Sequence, residues 1–253
     1  MINDKLVELE EQEAQAPLSK APIALIVSPQ GGGKSTIMTA RAVDSTFANA
    51  TSVIMPNGFE VPCLPALNDK SKPIIGSVIP LFKGEEPFVA EVPDDACVVA
   101  ESIKIFANYH LYGIRSYFVS LADIVENINT DLFTNAYLYL DEGYIGADAR
   151  NSMNMLNQIL STQFAFQLRK RHLHFTIAYP LSRMADIRYR LMWTERIECE
   201  YNDKTFEITA KIRKNGKEKK ITFDASLYWQ YFNTDERFKI PESKISKALS
   251  SAY

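Results

Sequence analysis

The 253-residue chain is short of cysteine, of histidine and of long apolar runs, and each shortage closes off a class of protein. Cys63, Cys97 and Cys199 are an odd, widely spaced set with no CxxC pair, and only three histidines accompany them. Neither a disulfide framework nor a zinc site is expected, and a reducing compartment fits. His172 and His174 alternate along one segment and His110 lies far away, with no nearby carboxylate or thiolate to complete a metal site. No stretch approaches the roughly 18 consecutive apolar residues of a membrane span. The N-terminus carries Glu8, Glu10, Glu11 and Glu13 where a signal peptide would have basic and apolar regions, so a soluble, intracellular protein is expected. A formal net charge of −3 gives no global basic field, and any contact with nucleic acid has to be local.

What is present is ordinary globular composition, 46% hydrophobic and 23% charged, enough for one main domain around a sizeable core. Residues 1–20 read as a polar arm, 21–240 as the domain and 241–253 as a short tail. Seven of the twelve prolines fall between Thr51 and Pro93, a density that excludes long helices. Residues 51–95 therefore read as an insertion of short strands and loops. Apolar spacing predicts helices from about residue 95 (Val98, Ile103, Phe106, Leu111), at 121–128, and from 152 to about 171. Strands are predicted at 116–119, 136–140 and 173–178. Strands alternating with helices imply an α/β fold with a mainly parallel central sheet flanked by helices. Near the C-terminus, 205–213 and 218–223 flank Asn215-Gly216, the preferred two-residue turn of a β-hairpin. Tyr228, Trp229, Tyr231 and Phe232 read as core or subunit packing in preference to a base-stacking platform.

The residues that carry chemistry begin with Ile-Ala-Leu-Ile-Val at 23–27, followed by Ser28-Pro-Gln-Gly-Gly-Gly-Lys-Ser-Thr36 and by Ile37, Ala40, Val43 and Phe47 at helical spacing. Strand, glycine loop and helix in that order make a P-loop. Backbone N–H groups of Gln30, Gly31, Gly32, Gly33, Lys34, Ser35 and Thr36 would surround phosphates, Lys34 would reach the β/γ oxygens, and Ser35 would bind Mg²⁺. The full pattern G-x-x-x-x-G-K-[ST] asks for glycine where this chain has Ser28. Further on, Tyr137-Leu-Tyr-Leu-Asp-Glu142 delivers two carboxylates to a strand's C-terminal end. Asp141 is the candidate magnesium carboxylate and Glu142 the candidate base for the attacking water, with ATP and Mg²⁺ the expected cofactors.

These pieces, with Ala149-Arg-Asn-Ser152, Gln167-Leu-Arg-Lys-Arg171, Ala185-Asp-Ile-Arg188 and Tyr231-Phe-Asn-Thr-Asp-Glu236, resemble in order and spacing the FtsK/HerA superfamily of P-loop motors. The likeness runs from about residue 23 to 237 and is greatest to small members from archaeal viruses and plasmids regarded as DNA-packaging ATPases. It implies a homo-oligomeric ring that translocates double-stranded DNA, with a capsid or portal-like protein as a further partner, in the host cytoplasm or associated with the virion. It also implies an arginine from a neighbouring subunit at the phosphates; Arg150 and Arg188 are the favoured candidates beside Arg183 and Arg190. Members of the family usually carry a polar sensor, often glutamine, after the strand that follows the Asp-Glu strand. Here the segment reads Ile177-Ala-Tyr-Pro-Leu-Ser182, leaving Tyr179, Ser182 or another residue for that task.

For DNA, Arg169-Lys-Arg171 and the hairpin cations Lys211, Arg213, Lys214, Lys217, Lys219 and Lys220 are the local basic clusters, with Lys214, Lys217, Lys219 and Lys220 the favoured contacts. Three other readings stand beside the translocase. One is a motor for protein export or virion assembly, another is a nucleotide or small-molecule kinase, and the last is a nucleotide-gated binding module that hydrolyses little.

Overall fold

The computed structural model describes residues 23–66, 72–76, 89–127, 130–142, 168, 171–185 and 187–233. The arm at 1–20, the tail at 241–253 and most of the helix expected at 152–171 lie outside these residues.

The first strand, β1 (Ile23–Val27), leads through the glycine loop into helix α1 (Lys34–Ala48). The proline-rich stretch yields short strands β2 (Ser52–Ile54), β3 (Glu60–Leu64), β4 (Ile74–Gly76) and β5 (Val89–Glu91). With β6 (Cys97–Val99) they make a five-stranded antiparallel sheet in the order β5-β4-β3-β2-β6.

Residues 97–107 depart from the expected helix, forming β6 and then β7 (Lys104–Ala107) across a turn at Glu101-Ser102. Both apolar stretches are short, and each finds a strand to pair with: β6 pairs with β2, and β7 with the strand at Ala136–Leu140. That pairing outweighs the three-and-four spacing of Val98, Ile103, Phe106 and Leu111.

The chain continues through β8 (Tyr117–Phe118), α2 (Leu121–Asn127), β9 (Ala136–Leu140), β10 (His174–Tyr179), α3 (Ile187–Met192) and β11 (Glu195–Asn202). It then makes a hairpin of β12 (Glu207–Lys214) and β13 (Lys217–Asp224) and a 3₁₀ turn at Ala225–Tyr231. Asn215 (φ 52) and Gly216 (φ 71) both take positive φ, as a type I′ turn requires.

The main sheet runs β13-β12-β11-β1-β10-β9-β7-β8. Its strands are parallel except at β11–β12 and β12–β13. Because side chains alternate across a strand, β1 feeds two cores. Ile26 joins Met38, Val43 and Phe47 of α1 and residues of the smaller sheet on one face. Ile23 and Leu25 join Phe175, Ile177, Leu138 and Ile124 on the other. Phe175 is fully buried, and truncation to alanine would cost about 3–5 kcal/mol. No helix among the described residues is long and apolar enough to cross a membrane.

Candidate functional site

The parallel strands end along one edge, and β1 meets α1 there through the glycine loop. Gly31 (φ 76) and Gly33 (φ 88) occupy the left-handed region. Gly33 is also pressed against the hairpin: a Cβ there would lie 2.7 Å from Ile208 Cδ1. Gly32 has no room either, since a Cβ would fall 1.8 Å from Ser28 Oγ. Serine at 28 is thus matched by the missing side chain at 32. Burial pushes the thiol of Cys199 up to about 11, with Ser28 and Lys34 pulling the other way, so this neighbour of the loop stays protonated.

Helix α1 starts with no side-chain cap and no acidic residue in its first turn. Its first N–H groups and its dipole are therefore left for an anion. Lys34 Nζ donates to Ser28 O (3.0 Å) and Pro29 O (2.9 Å), which folds its ammonium over the loop.

Across the lip of the loop, Ser35 Oγ donates to Asp141 Oδ2. Asp141 follows β9 and is 8% exposed. Strand β10 lies between β1 and β9, so the glycine loop and the Asp-Glu pair rise from strands two places apart. The gap brings a helix-borne hydroxyl from α1 to the carboxylate of β9. Glu142 takes φ 50, a strained value for a long side chain, and its N–H donates to Asp141 Oδ1 (2.8 Å). The fold is that of a P-loop NTPase.

The P-loop strand order, glycine conformations and helix start carry that assignment. No protein-family model matches the chain, and no curated protein matches its sequence. Among solved structures, the chain is similar to the N-terminal domain of zonular occludens toxin from Neisseria meningitidis, at 15% identity and a TM-score of 0.47, over 85% of this chain and 100% of that one. It is also similar to the genome packaging NTPase of Sulfolobus turreted icosahedral virus 2, described in complex with ATP-gammaS, at 8% identity and a TM-score of 0.41, over 80% of this chain and 96% of that one.

One residue of the P-loop site is not marked by any sequence motif. Asn108, just after β7, accepts from Asp141 N (2.8 Å) and donates to Asp141 O (2.9 Å) through the two ends of its amide. Its only signal is position, at the end of a short apolar run whose spacing imitates a helix.

The sensor position is corrected by burial. Tyr179 is fully buried in the core on the face of the sheet opposite α1, and Pro180 has no N–H. Ser182, half-buried in a short 3₁₀ turn, is the polar residue left at that strand end. Arg150 lies outside the described residues. Arg188 sits on α3 with its side chain outside them, while Arg183 flanks Ser182 in the 3₁₀ turn.

The hairpin divides the predicted lysine cluster. The pairs Ile212↔Lys219 and Lys214↔Lys217 put Lys214, Lys217 and Lys219 on the face that carries Ile208 and Ala210. Lys220, opposite Lys211, lies on the other face. There Glu218 binds both Lys211 (3.1 Å) and Arg213 (3.0 Å). Since β12 runs antiparallel to β11, the turn at Asn215-Gly216 stands at the sheet edge opposite the P-loop, about 25 Å away at ~3.3 Å per residue. Among the described residues, no group of histidine, cysteine, aspartate or glutamate is arranged as a cluster for a metal ion.

Proposed function

We propose that the protein is a magnesium-dependent ATPase that works as a homo-oligomeric ring and drives double-stranded DNA, packaging a viral or plasmid genome. One observation carries the ATPase reading. The Ser35 hydroxyl meets the Asp141 carboxylate at the lip of an uncapped helix N-terminus, with Glu142 next along the chain.

That pair fits magnesium: two hard oxygen donors in direct contact suit a small cation that prefers carboxylate, hydroxyl and phosphate oxygens. Bound there, magnesium would neutralise charge on the phosphate oxygens. The Lys34 ammonium exchanges the carbonyls of Ser28 and Pro29 for phosphate oxygens, a short swing for a four-carbon stem. The backbone N–H groups of residues 30–36 hold the rest of the polyphosphate, apart from that of Gly32, which donates to Pro29 O at 3.1 Å. Glu142 orients the attacking water and takes its proton on a carboxylate oxygen. An arginine from the next subunit, Arg150 or Arg188, meets the charge that develops on the transferring phosphoryl group.

The DNA part rests on the motif resemblance and on the lysines at the hairpin tip, which contact phosphates without reading bases. Nucleotide and DNA then act at opposite edges of one sheet, joined by β11 and β12. A capsid or portal-like protein completes the assembly.

Steady-state ATP hydrolysis with and without long double-stranded DNA tests this reading. DNA-stimulated turnover that Glu142→Gln abolishes supports it, and Glu142-dependent turnover indifferent to DNA moves the cargo to protein. Full burial of Tyr179 at the sensor position favours a second reading, a nucleotide-gated module that hydrolyses little. Tight ATP binding without turnover is its signature.

A further inference from the structure

The hairpin flank of the P-loop carries an aromatic group that takes no part in holding phosphate or metal. Phe206 is 48% exposed and Trp229 is 41% exposed, and their rings meet edge to face with centroids 5.5 Å apart. Leu227, 61% exposed, stands two residues before Trp229. Exposed apolar side chains gathered in one patch mark a place where something binds.

Its position decides what binds. Ile208, two residues after Phe206, touches the P-loop at Gly33, as does Tyr201 at the end of β11, whose Cβ lies 3.6 Å from where a Gly33 Cβ would be. Phe206 thus stands two residues along the chain from the side chain that borders the phosphate cradle. Ser35 and Asp141 fix the cradle's other flank as the metal end, on the side of β10 and β9. A nucleoside triphosphate lying across the loop with its terminal phosphate at Asp141 sends its ribose and base the opposite way, toward β11 and the start of the hairpin.

Phe206 is held for such a role. Its φ is 56, a region that bulky side chains rarely enter, and its carbonyl accepts from Ala225 N at 2.8 Å. The hydrogen bond ties the 203–206 loop to the 3₁₀ turn that bears Trp229, so both rings stand on one corner. Neither ring is spent on the core.

We propose that Phe206 and Trp229 form the platform on which the base of the bound nucleotide stacks. The proposal rests on the P-loop reading and names the part of the ligand that the P-loop does not hold. The rings stand at 87° to each other, so the base stacks on the face of one and meets the edge of the other; such a contact accepts any base through its π-face and contributes affinity without choosing strongly between ATP and GTP.

Magnesium-ATP and magnesium-tripolyphosphate, which lacks base and ribose, separate the two parts of the site by titration calorimetry. Phe206→Ala is expected to weaken ATP by about tenfold, the scale of one base–aromatic stack, and to leave tripolyphosphate unchanged. Phe206→Tyr is expected to restore ATP affinity. In a Trp193→Phe background, where Trp229 is the remaining tryptophan of the two, ATP should quench its emission and tripolyphosphate should not. That readout needs no change at Phe206 and stands if Phe206→Ala misfolds.

Equal ATP affinity in wild type and Phe206→Ala would overturn the platform. So would equal losses for both ligands, or Trp229 emission unmoved by saturating ATP. A Phe206→Ala variant that changes only sedimentation, with ATP affinity intact, would give the patch to a contact between copies and overturn the proposal in that way. Wild type that binds neither ligand would instead remove the P-loop reading itself.

Discussion

Asn108 clamps Asp141 from both sides: its amide oxygen takes the Asp141 N–H at 2.8 Å and its amide nitrogen gives a hydrogen to the Asp141 carbonyl at 2.9 Å. The clamp fixes the peptide that carries Asp141 into Glu142, where the backbone turns to φ 50. Asn108→Ala leaves the P-loop intact and frees that peptide. Turnover is expected to fall by about tenfold to a hundredfold, the range for partners that orient a ligand or base, while ATP affinity stays within about twofold. Steady-state kinetics beside calorimetric ATP binding check it; equal losses in both would make Asn108 a plain structural residue.

Gly33 and Gly31 should behave differently under the same substitution. Both have positive φ, but only at Gly33 does a new Cβ meet Ile208 at 2.7 Å; at Gly31 nothing lies within 4 Å. Gly31→Ala is expected to cost about 1–2 kcal/mol of backbone strain alone. Gly33→Ala adds displacement of the hairpin and should abolish ATP binding. Ile208→Ala in the Gly33→Ala background should recover part of the stability, a coupling that chemical denaturation of wild type, both single variants and the double variant would measure.

Much of this site is legible in the amino-acid sequence itself. Ile23–Val27, the glycine loop and α1 stand where hydrophobic pattern and motif put them. The strand that leads into Asp141 spans Ala136–Leu140 as expected, and Asn215-Gly216 makes its turn. These are local signals, each contained within about fifteen residues. The features that pattern alone does not reveal depend on contacts between distant segments. Strand β11 hides because its alternation of Ile197, Cys199 and Tyr201 with Arg196, Glu198 and Glu200 is only three apolar residues long, and its inward face begins with a buried charge, Glu195, whose partner Arg41 lies on α1. Asn108 gains its meaning from a residue 33 positions away. Tyr179 stands at the end of its strand like a sensor, and only the packed sheet shows to which side it points.

Acid should loosen the molecule through Arg41 and Glu195. The two form an ion pair at 2.7 Å, between α1 and the start of β11. Burial raises the Glu195 carboxyl, but the hydrogen bond and charge of Arg41 outweigh it and hold the group below its usual value. A depressed carboxylate stabilises the fold above its unfolded pKa of about 4.3, and that contribution is lost as pH falls through the lower folded value. Glu195→Gln is expected to cost about 1–2 kcal/mol at pH 7 and less near pH 3, since the pair is partly exposed. Urea unfolding at both values checks it; an equal cost at both would assign the effect to packing.

The lysines at the hairpin tip should not be equivalent. Replacing Lys214, Lys217 and Lys219, which share one face, with alanine is expected to weaken double-stranded DNA binding and reduce its salt slope by about one for each phosphate no longer neutralised. Lys220→Ala, on the opposite face, should do less. Filter binding at several salt concentrations checks this, and an unchanged slope in the triple variant would leave those lysines as solvated surface.

One P-loop is to hold the nucleotide through Lys34 while Glu142 activates the water, and the two roles separate in a single comparison. Magnesium-dependent ATP turnover is measured together with equilibrium ATP binding in wild type, Lys34→Ala and Glu142→Gln. Lys34→Ala should lose both, and Glu142→Gln should keep binding while turnover falls at least about a hundredfold, the scale of general-base catalysis. Undiminished turnover in either variant would contradict these roles.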